Sequence, residues 1–94
     1  MERIECVNPN TGGKMNIDKE VYDLIVKAIK GSLKGNKVLT YTQLVEGINK
    51  YLTLHKINFP KSVGWYAVTI KNDMESKKLL TVYTEKGKKL HRLS

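Results

Sequence analysis

Hydrophobic residues recur every three or four positions in three segments of the chain, and this spacing predicts three amphipathic helices. Each segment follows a residue suited to the N-cap position, namely Asp18, Thr40 or Ser62. Gln43 lies three residues after Thr40 and completes the pattern of a capping box. The starts of all three helices are therefore predicted from local sequence.

The ends of the helices are marked by residues that break or cap them. Gly31 and Gly35 are expected to end the first helix, and the segment Asn58-Phe59-Pro60 the second. The apolar stripe of the third helix continues to Met74, so this helix is expected to end near Lys77. Gly47 either weakens the second helix or allows another helix to pack closely against it.

Segments rich in strand-forming residues lie before and after the helices. The loop formers of residues 8–13 separate two short strands and predict an N-terminal hairpin. Residues 85–88 form a glycine-containing turn and predict a second hairpin at the C-terminal end. The expected strands are Arg3–Asn8, Lys14–Ile17, Val38–Leu39, Leu79–Thr84 and Lys89–Leu93.

The order of these elements predicts an α+β fold of the winged-helix type. A two-stranded hairpin is marginal alone, and the three helices provide the apolar surface on which it can pack. We expect a three-helix helix-turn-helix core with a C-terminal β-wing, which Val38–Leu39 can join as a third strand. The chain is predicted to be a single domain over 1–94, in which 1–17 form an N-terminal hairpin extension and 18–94 form the core.

Composition and charge narrow the functional classes. No apolar run is long enough for a membrane span, and the first residues lack the apolar stretch of a signal peptide. The single cysteine, Cys6, fits a reducing cytoplasm and is expected to be a small buried apolar residue. The net charge is +8, and the excess lies mainly in the second half, where nine Lys or Arg stand against three Asp or Glu. Such a charge favours a polyanionic partner or serves only solubility.

Four blocks of sequence give a further indication of the fold. They are IECVNPNTG at 4–12, MNIDKE at 15–20, SVGWY at 62–66 and TEKGKKLHRL at 84–93. Through these blocks the chain resembles a small bacterial family of uncharacterised proteins, over nearly its whole length. The resemblance implies a winged-helix-like fold and brings no assigned activity.

The third helix and the wing are the candidate nucleic-acid interface. In helix-turn-helix proteins the second helix of the pair enters the major groove. One side of the third helix, from Lys61 to Lys77 and including Asp73, is expected to face outward; Asp73 would oppose an approach to phosphate. Base contacts are assigned to Ser62, Tyr66 and Thr69, and phosphate contacts to Lys61, Lys71, Lys86, Lys88, Lys89 and Arg92. The alternative is an ordinary solvated helix face and a lysine-rich hairpin tip that protects a sheet edge.

Aromatic side chains suggest a second function, in which the chain binds a protein or forms a homodimer. Trp65, Tyr22 and Tyr51 are the candidate anchors, if they are exposed. For Trp65 the favoured alternative is packing beneath the N-terminal hairpin, because the third helix is apolar on two sides and the hairpin needs a surface to cover. The leading expectation remains a protein that binds double-stranded DNA, such as a transcriptional regulator.

No pattern in the chain indicates catalysis or a cofactor. Neither histidine, His55 or His91, has metal-ligand spacing with the other or with Cys6. No nucleophile with an adjacent base is recognisable. We expect a protein that is not an enzyme, with no metal, cofactor or small-molecule substrate indicated.

Overall fold

The computed structural model describes residues 2–9 and 11–94 and contains three helices and two small antiparallel sheets, an α+β architecture. The elements follow one another in the expected order and lie within a few residues of the predicted bounds. They are β1 (Arg3–Val7), β2 (Lys14–Asp18), α1 (Lys19–Ser32), β3 (Leu39–Thr40), α2 (Tyr41–Leu54), α3 (Val63–Ser76), β4 (Leu80–Glu85) and β5 (Lys88–Leu93). No helix in these described ranges is long and apolar enough to cross a bilayer.

All three predicted N-caps are confirmed. The Asp18 carboxylate accepts a hydrogen bond from the backbone N–H of Glu20. At the start of α2, the hydroxyl of Thr40 and the side chain of Gln43 each accept a hydrogen bond from the other residue's backbone N–H. The Ser62 hydroxyl accepts from the third residue of α3. These bonds satisfy N–H groups that a helix leaves without a partner, so each start is set locally.

The helices pack around a core of apolar residues from every part of the fold. Ile25, Ile29, Leu44, Ile48 and Ile70 are fully buried, in line with the predicted stripes. The N-terminal hairpin adds its own residues to this core, including Cys6, which is 2% exposed as expected of a small apolar side chain. Burial raises the pKa of the Cys6 thiol to about 11, so the group stays protonated.

Gly47 marks the closest approach of α1 and α2. A Cβ atom at this position would lie 2.5 Å from the Ser32 hydroxyl oxygen and 2.9 Å from the Ser32 Cβ. The close-packing interpretation of this glycine is therefore confirmed, because no larger residue fits without moving α1 away from α2.

The C-terminal sheet has the strand order β3-β5-β4. The pairing of Leu39 with His91 and of Thr40 with Leu90 confirms that the short segment after α1 joins the terminal hairpin. The β3 strand has only two residues, so Arg92 and Leu93 of β5 have a neighbouring strand on the β4 side alone. This short third strand leaves a gap beside the end of β5.

Candidate nucleic-acid interface

The hairpin of β4 and β5 is called the wing below. Its tip is a two-residue turn that presents lysines to solvent. Lys86 and Gly87 have φ angles of 51° and 77°, and Glu85 pairs with Lys88 across the turn. Positive φ at both central residues is the geometry of a type I′ turn, which suits the twist of a two-stranded hairpin. Lys86, Lys88 and Lys89 are all exposed.

Arg92 lies away from this tip, although it is close to it in sequence. A strand rises about 3.3 Å per residue, so Arg92 is roughly 17 Å along the strand from Gly87. Its side chain lines a pocket at the end of α1, together with Lys30 and Lys34. The four cations that form one cluster in the sequence therefore belong to two separate places in the structure.

Tyr41 connects the start of α2 to the first turn of α3. The Tyr41 hydroxyl donates to the carbonyl of Gly64 at 2.7 Å, in the first turn of α3. Tyr41 follows Thr40, which pairs with Leu90. The start of α3 is thereby linked through β3 to the middle of β5, and Lys89, the residue before Leu90, lies near Lys71 of α3.

Lys61 and Ser62 are exposed just before α3, as predicted. The Ser62 hydroxyl is engaged as the N-cap of α3, and the Lys61 ammonium lies 6.0 Å from the centre of the Tyr66 ring. Tyr66 is half-buried and packs edge-on against Phe59, with ring centroids 5.6 Å apart. Only part of this tyrosine is therefore available to a ligand.

Asp73 does not face outward, which corrects the sequence-based prediction for this side of α3. It is completely buried beneath the N-terminal hairpin. Its carboxylate accepts hydrogen bonds from the Tyr22 hydroxyl at 2.6 Å, from the backbone N–H of Val7 at 2.9 Å and from the Lys77 ammonium at 2.7 Å. The hairpin, α1 and α3 are joined through this one side chain.

Tyr22 is consequently not an exposed anchor for a partner, and that prediction is wrong. The side chain is 7% exposed, because Val21 and Tyr22 begin the buried side of α1. Burial, reinforced by the hydrogen bond to Asp73, raises the pKa of Tyr22 to about 12. Burial alone would lower the pKa of Lys77, but its hydrogen bonds to Asp73 and Tyr22 outweigh this and raise it.

The hairpin also narrows the space beside Thr69. A shallow groove of about 290 Å³ runs between the hairpin and α3, and Met15, Val68, Thr69 and Asn72 are among its lining residues. Thr69 is half-buried there. The C-terminal half of α3 thus has the hairpin beside it, whereas Lys61, Ser62 and Trp65 at the start of the helix are exposed.

Lys71 is buried rather than directed toward solvent, so it cannot serve as a phosphate contact. It is 4% exposed, and its ammonium donates to the Asn72 side-chain oxygen at 3.2 Å. Burial lowers the pKa of Lys71, and the charge of Lys89 lowers it further. The prediction failed because Lys71 is buried near His91 and Lys89 of β5 and does not lie on an exposed side of α3.

His91 lies fully buried on β5. Its Nδ1 is 3.0 Å from the carbonyl oxygen of Leu39, so Nδ1 carries the proton and donates it. The other ring nitrogen, Nε2, is buried with no hydrogen-bond partner among the described residues. Burial lowers the pKa of His91, and the nearby Lys71 and Lys89 charges add to this effect.

Sequence reasoning missed both the Asp73 cluster and the burial of His91. The i,i+4 spacing of Asp73 and Lys77 was a signal for an ion pair, but it is equally common on exposed helix faces. For His91, alternation along β5 puts it on the same side as Leu93 and opposite the exposed Arg92. That alternation was the available signal for a buried histidine.

Trp65 is 42% exposed, so it does not pack beneath the N-terminal hairpin. Its ring contacts Tyr66 edge-on, with centroids 4.8 Å apart. Tyr51, the third proposed anchor, is half-buried on α2 and packs against the exposed His55 at a ring distance of 4.3 Å. Of the three aromatic candidates, Trp65 alone keeps a large exposed surface.

The ion pairs involve lysines that lie outside the wing and outside the start of α3. Lysines pair with carboxylates at Lys14–Glu5, Lys19–Asp23 and Lys77–Asp73. Over residues 2–9 and 11–94, none of Lys61, Lys86, Lys88, Lys89 and Arg92 forms an ion pair. In the same ranges no three His, Cys, Asp or Glu side chains come together as a metal site.

Comparison with known families gives one match. A model described as a family of unknown function, DUF6958, matches residues 3–90. The chain belongs to this family. No curated protein and no solved structure matches it.

The DUF6958 match covers most of the features described above. It includes both hairpin turns, all three helices, the Asp73 cluster and the lysines of the wing tip. It ends at Leu90, just before His91 and Arg92. The resemblance to an uncharacterised family seen in the sequence is confirmed, and it assigns no activity.

Proposed function

We propose that this protein binds double-stranded DNA as a winged-helix protein, in the manner of a transcriptional regulator. The observation that carries the proposal is the set of exposed cations without ion pairs, Lys61 before α3 and Lys86, Lys88 and Lys89 at the wing tip. Lysines free of carboxylate partners are available to displace counterions from phosphates, which drives binding to nucleic acids.

The order of elements supports the winged-helix assignment. Helices α2 and α3 stand as the helix-turn-helix pair, and β3 lies beside β5 in a sheet that follows the third helix. In such a pair the N-terminal residues of the second helix contact base edges. The exposure of Lys61, Ser62 and Trp65 at the start of α3 supports this docking geometry.

The proposed contacts are narrower than the sequence alone suggested. Lys61 and the three wing-tip lysines hold phosphates, and Ser62 with the exposed part of Tyr66 meets the groove. Thr69 lies beside the N-terminal hairpin and has a marginal role. The proposed activity is binding without a catalytic step, in a reducing cytoplasm that keeps the buried thiol of Cys6 free.

A DNA titration with charge-matched variants tests this proposal. The variant K86Q/K88Q/K89Q is compared with K27Q/K50Q/K56Q, which removes three exposed lysines from α1, α2 and the end of α2. Binding to a fluorescent duplex is measured at two salt concentrations. We expect the wing variant to bind about tenfold more weakly at low salt and to lose about two to three units of salt slope, because each phosphate contact contributes about one unit.

The control variant separates a defined interface from general attraction to a basic protein. It should lose much less affinity than the wing variant, although both carry the same net charge. Equal losses in the two variants, or no binding at low salt, would overturn the proposal.

The exposed Trp65 favours a second candidate function, binding to a protein partner or to a second copy of this chain. An exposed tryptophan is a typical interaction hot spot, and Trp65 is one helical turn from Val68, which lines the groove between the hairpin and α3. In the same set of experiments, absence of DNA binding together with a dimer that W65S dissociates in sedimentation would favour this second function over the first.

A further inference from the structure

The gap beside the end of β5 forms an open cavity lined by cations. It has a volume of about 480 Å³ and lies between the C-terminal end of α1, the loop that follows it and the end of β5. The cavity exists because β3 begins only at Leu39, which pairs with His91. Arg92 and Leu93, the next residues of β5, therefore have no strand beside them on that side. Pockets of this size accommodate small organic ligands.

All the charged side chains that line this cavity are positive. Lys30 and Lys34 come from α1 and its following turn, and Arg92 comes from β5. No carboxylate lines the cavity, and none of the three cations forms an ion pair within the described part of the chain. Leu33 and Leu93 add apolar surface, and Asn36 adds an amide.

The helix dipole of α1 explains only part of this charge. Carbonyl groups at a helix C-terminus carry partial negative charge, which lysines in the last turn offset. Arg92 belongs to a different element, β5, and lines the same cavity. A guanidinium presents paired N–H donors that match the oxygens of a phosphate. Neutralising the partial charge at a helix end does not require this geometry.

We propose that this cavity binds a small phosphate ester, with Arg92, Lys30 and Lys34 holding the phosphate and Leu93 contacting the organic group. The phosphate could also come from a nucleic-acid backbone, which has the same chemistry. The site lies at the base of the sheet, away from the wing tip, so it goes beyond the proposed DNA contacts and does not depend on them.

Titrations of the full chain with inorganic phosphate and with adenosine 5′-monophosphate test the site by amide chemical shifts. Both probes should shift the amides of residues 33–36 and 92–93, and the nucleotide should bind more tightly because of its organic group. R92Q and K30Q/K34Q should each weaken nucleotide binding by about tenfold or more, since each removes charge-assisted hydrogen bonds. The charge-matched K27Q/K50Q should change it less than about twofold, a bound set by screened surface charge.

Three outcomes would overturn the proposal. The first is the absence of shifts at these amides. The second is a response scattered over all lysines with equal losses in K30Q/K34Q and K27Q/K50Q. The third is a response of the cavity to duplex DNA alone, which would assign its cations to a nucleic-acid footprint. K86Q/K88Q/K89Q should leave nucleotide binding unchanged, so failure of the DNA proposal and failure of this one are distinguishable.

Discussion

At the scale of single residues, burial decides what a charged side chain does in this protein. Asp73–Lys77 and Lys19–Asp23 are both i,i+4 pairs, with nitrogen–oxygen distances of 2.7 and 2.8 Å. The carboxylate of Asp73 is fully buried, whereas that of Asp23 is half exposed. The two pairs look alike in sequence, yet only the buried carboxylate also binds a tyrosine hydroxyl and a distant backbone N–H.

Replacement of Asp73 by alanine should therefore destabilise the fold much more than D23A. D73A leaves the Tyr22 hydroxyl and the Val7 N–H without their acceptor, and we expect a loss of about 2–4 kcal/mol in the free energy of unfolding. D23A removes only an exposed pair and should cost less than about 0.5 kcal/mol. Urea denaturation of both variants measures the difference, and similar losses would contradict the structural role assigned to Asp73.

At the scale of elements, the fold depends on how closely α1 and α2 approach. The Ser32 hydroxyl donates to the carbonyl of Ala28 at 2.8 Å, which holds the side chain against Gly47. A glycine inside a helix normally costs stability relative to alanine, so its place in α2 reflects packing rather than helix preference.

The substitution G47A tests this contact. The new methyl group would overlap the Ser32 Cβ, which cannot rotate away, and overpacking of this kind costs about 1–3 kcal/mol. We expect this cost to exceed the gain of up to about 1 kcal/mol in helix preference. Thermal denaturation should show a lower midpoint for G47A and a partial recovery in G47A/S32G. A midpoint above that of the wild type would show that the helices separate without cost.

At the scale of the whole molecule, two distant segments are packed onto α3 from different sides. The N-terminal hairpin covers Asp73, and Lys71 of α3 lies near His91 and Lys89 of the wing. His91 links the wing to β3 through its hydrogen bond to the carbonyl of Leu39. The charged groups close to its ring are Lys71, Lys89 and Glu75. A proton added to His91 would place a positive charge in a buried site beside two lysines.

The stability of the protein should consequently decrease as the pH falls below about 6.5, the ordinary pKa of histidine. The pKa of His91 is lowered in the folded state, so between the two values the unfolded chain binds more protons and acid favours unfolding. Urea midpoints between pH 7.5 and 5 measure this effect. H91N keeps an N–H donor for Leu39 without titrating and should flatten the dependence.

The exposed histidine provides the control for this measurement. H55N should retain the pH dependence of the wild type, because His55 is in contact with solvent. An unchanged pH dependence in H91N would show that protonation of His91 does not affect folding.

Most of the elements could be predicted from the sequence because their signals are local. The caps at Asp18, Thr40 and Ser62 involve residues two or three positions apart, and the turn at Lys86-Gly87 needs only its own backbone. Helical and strand periodicity also identified the core stripes. These interactions form wherever the segment forms, so the sequence alone determines them.

The outward sides of the elements were decided by tertiary packing. Asp73 became buried because Val7, 66 residues earlier in the chain, docks its N–H on the carboxylate. Lys71 was buried near the wing, and Arg92 was separated from the wing-tip lysines by the length of an extended strand. No local pattern specifies which neighbour covers a polar residue, because that depends on where distant segments meet. The sequence alone therefore determined which elements form, and only the folded structure decided which charges remain free to bind.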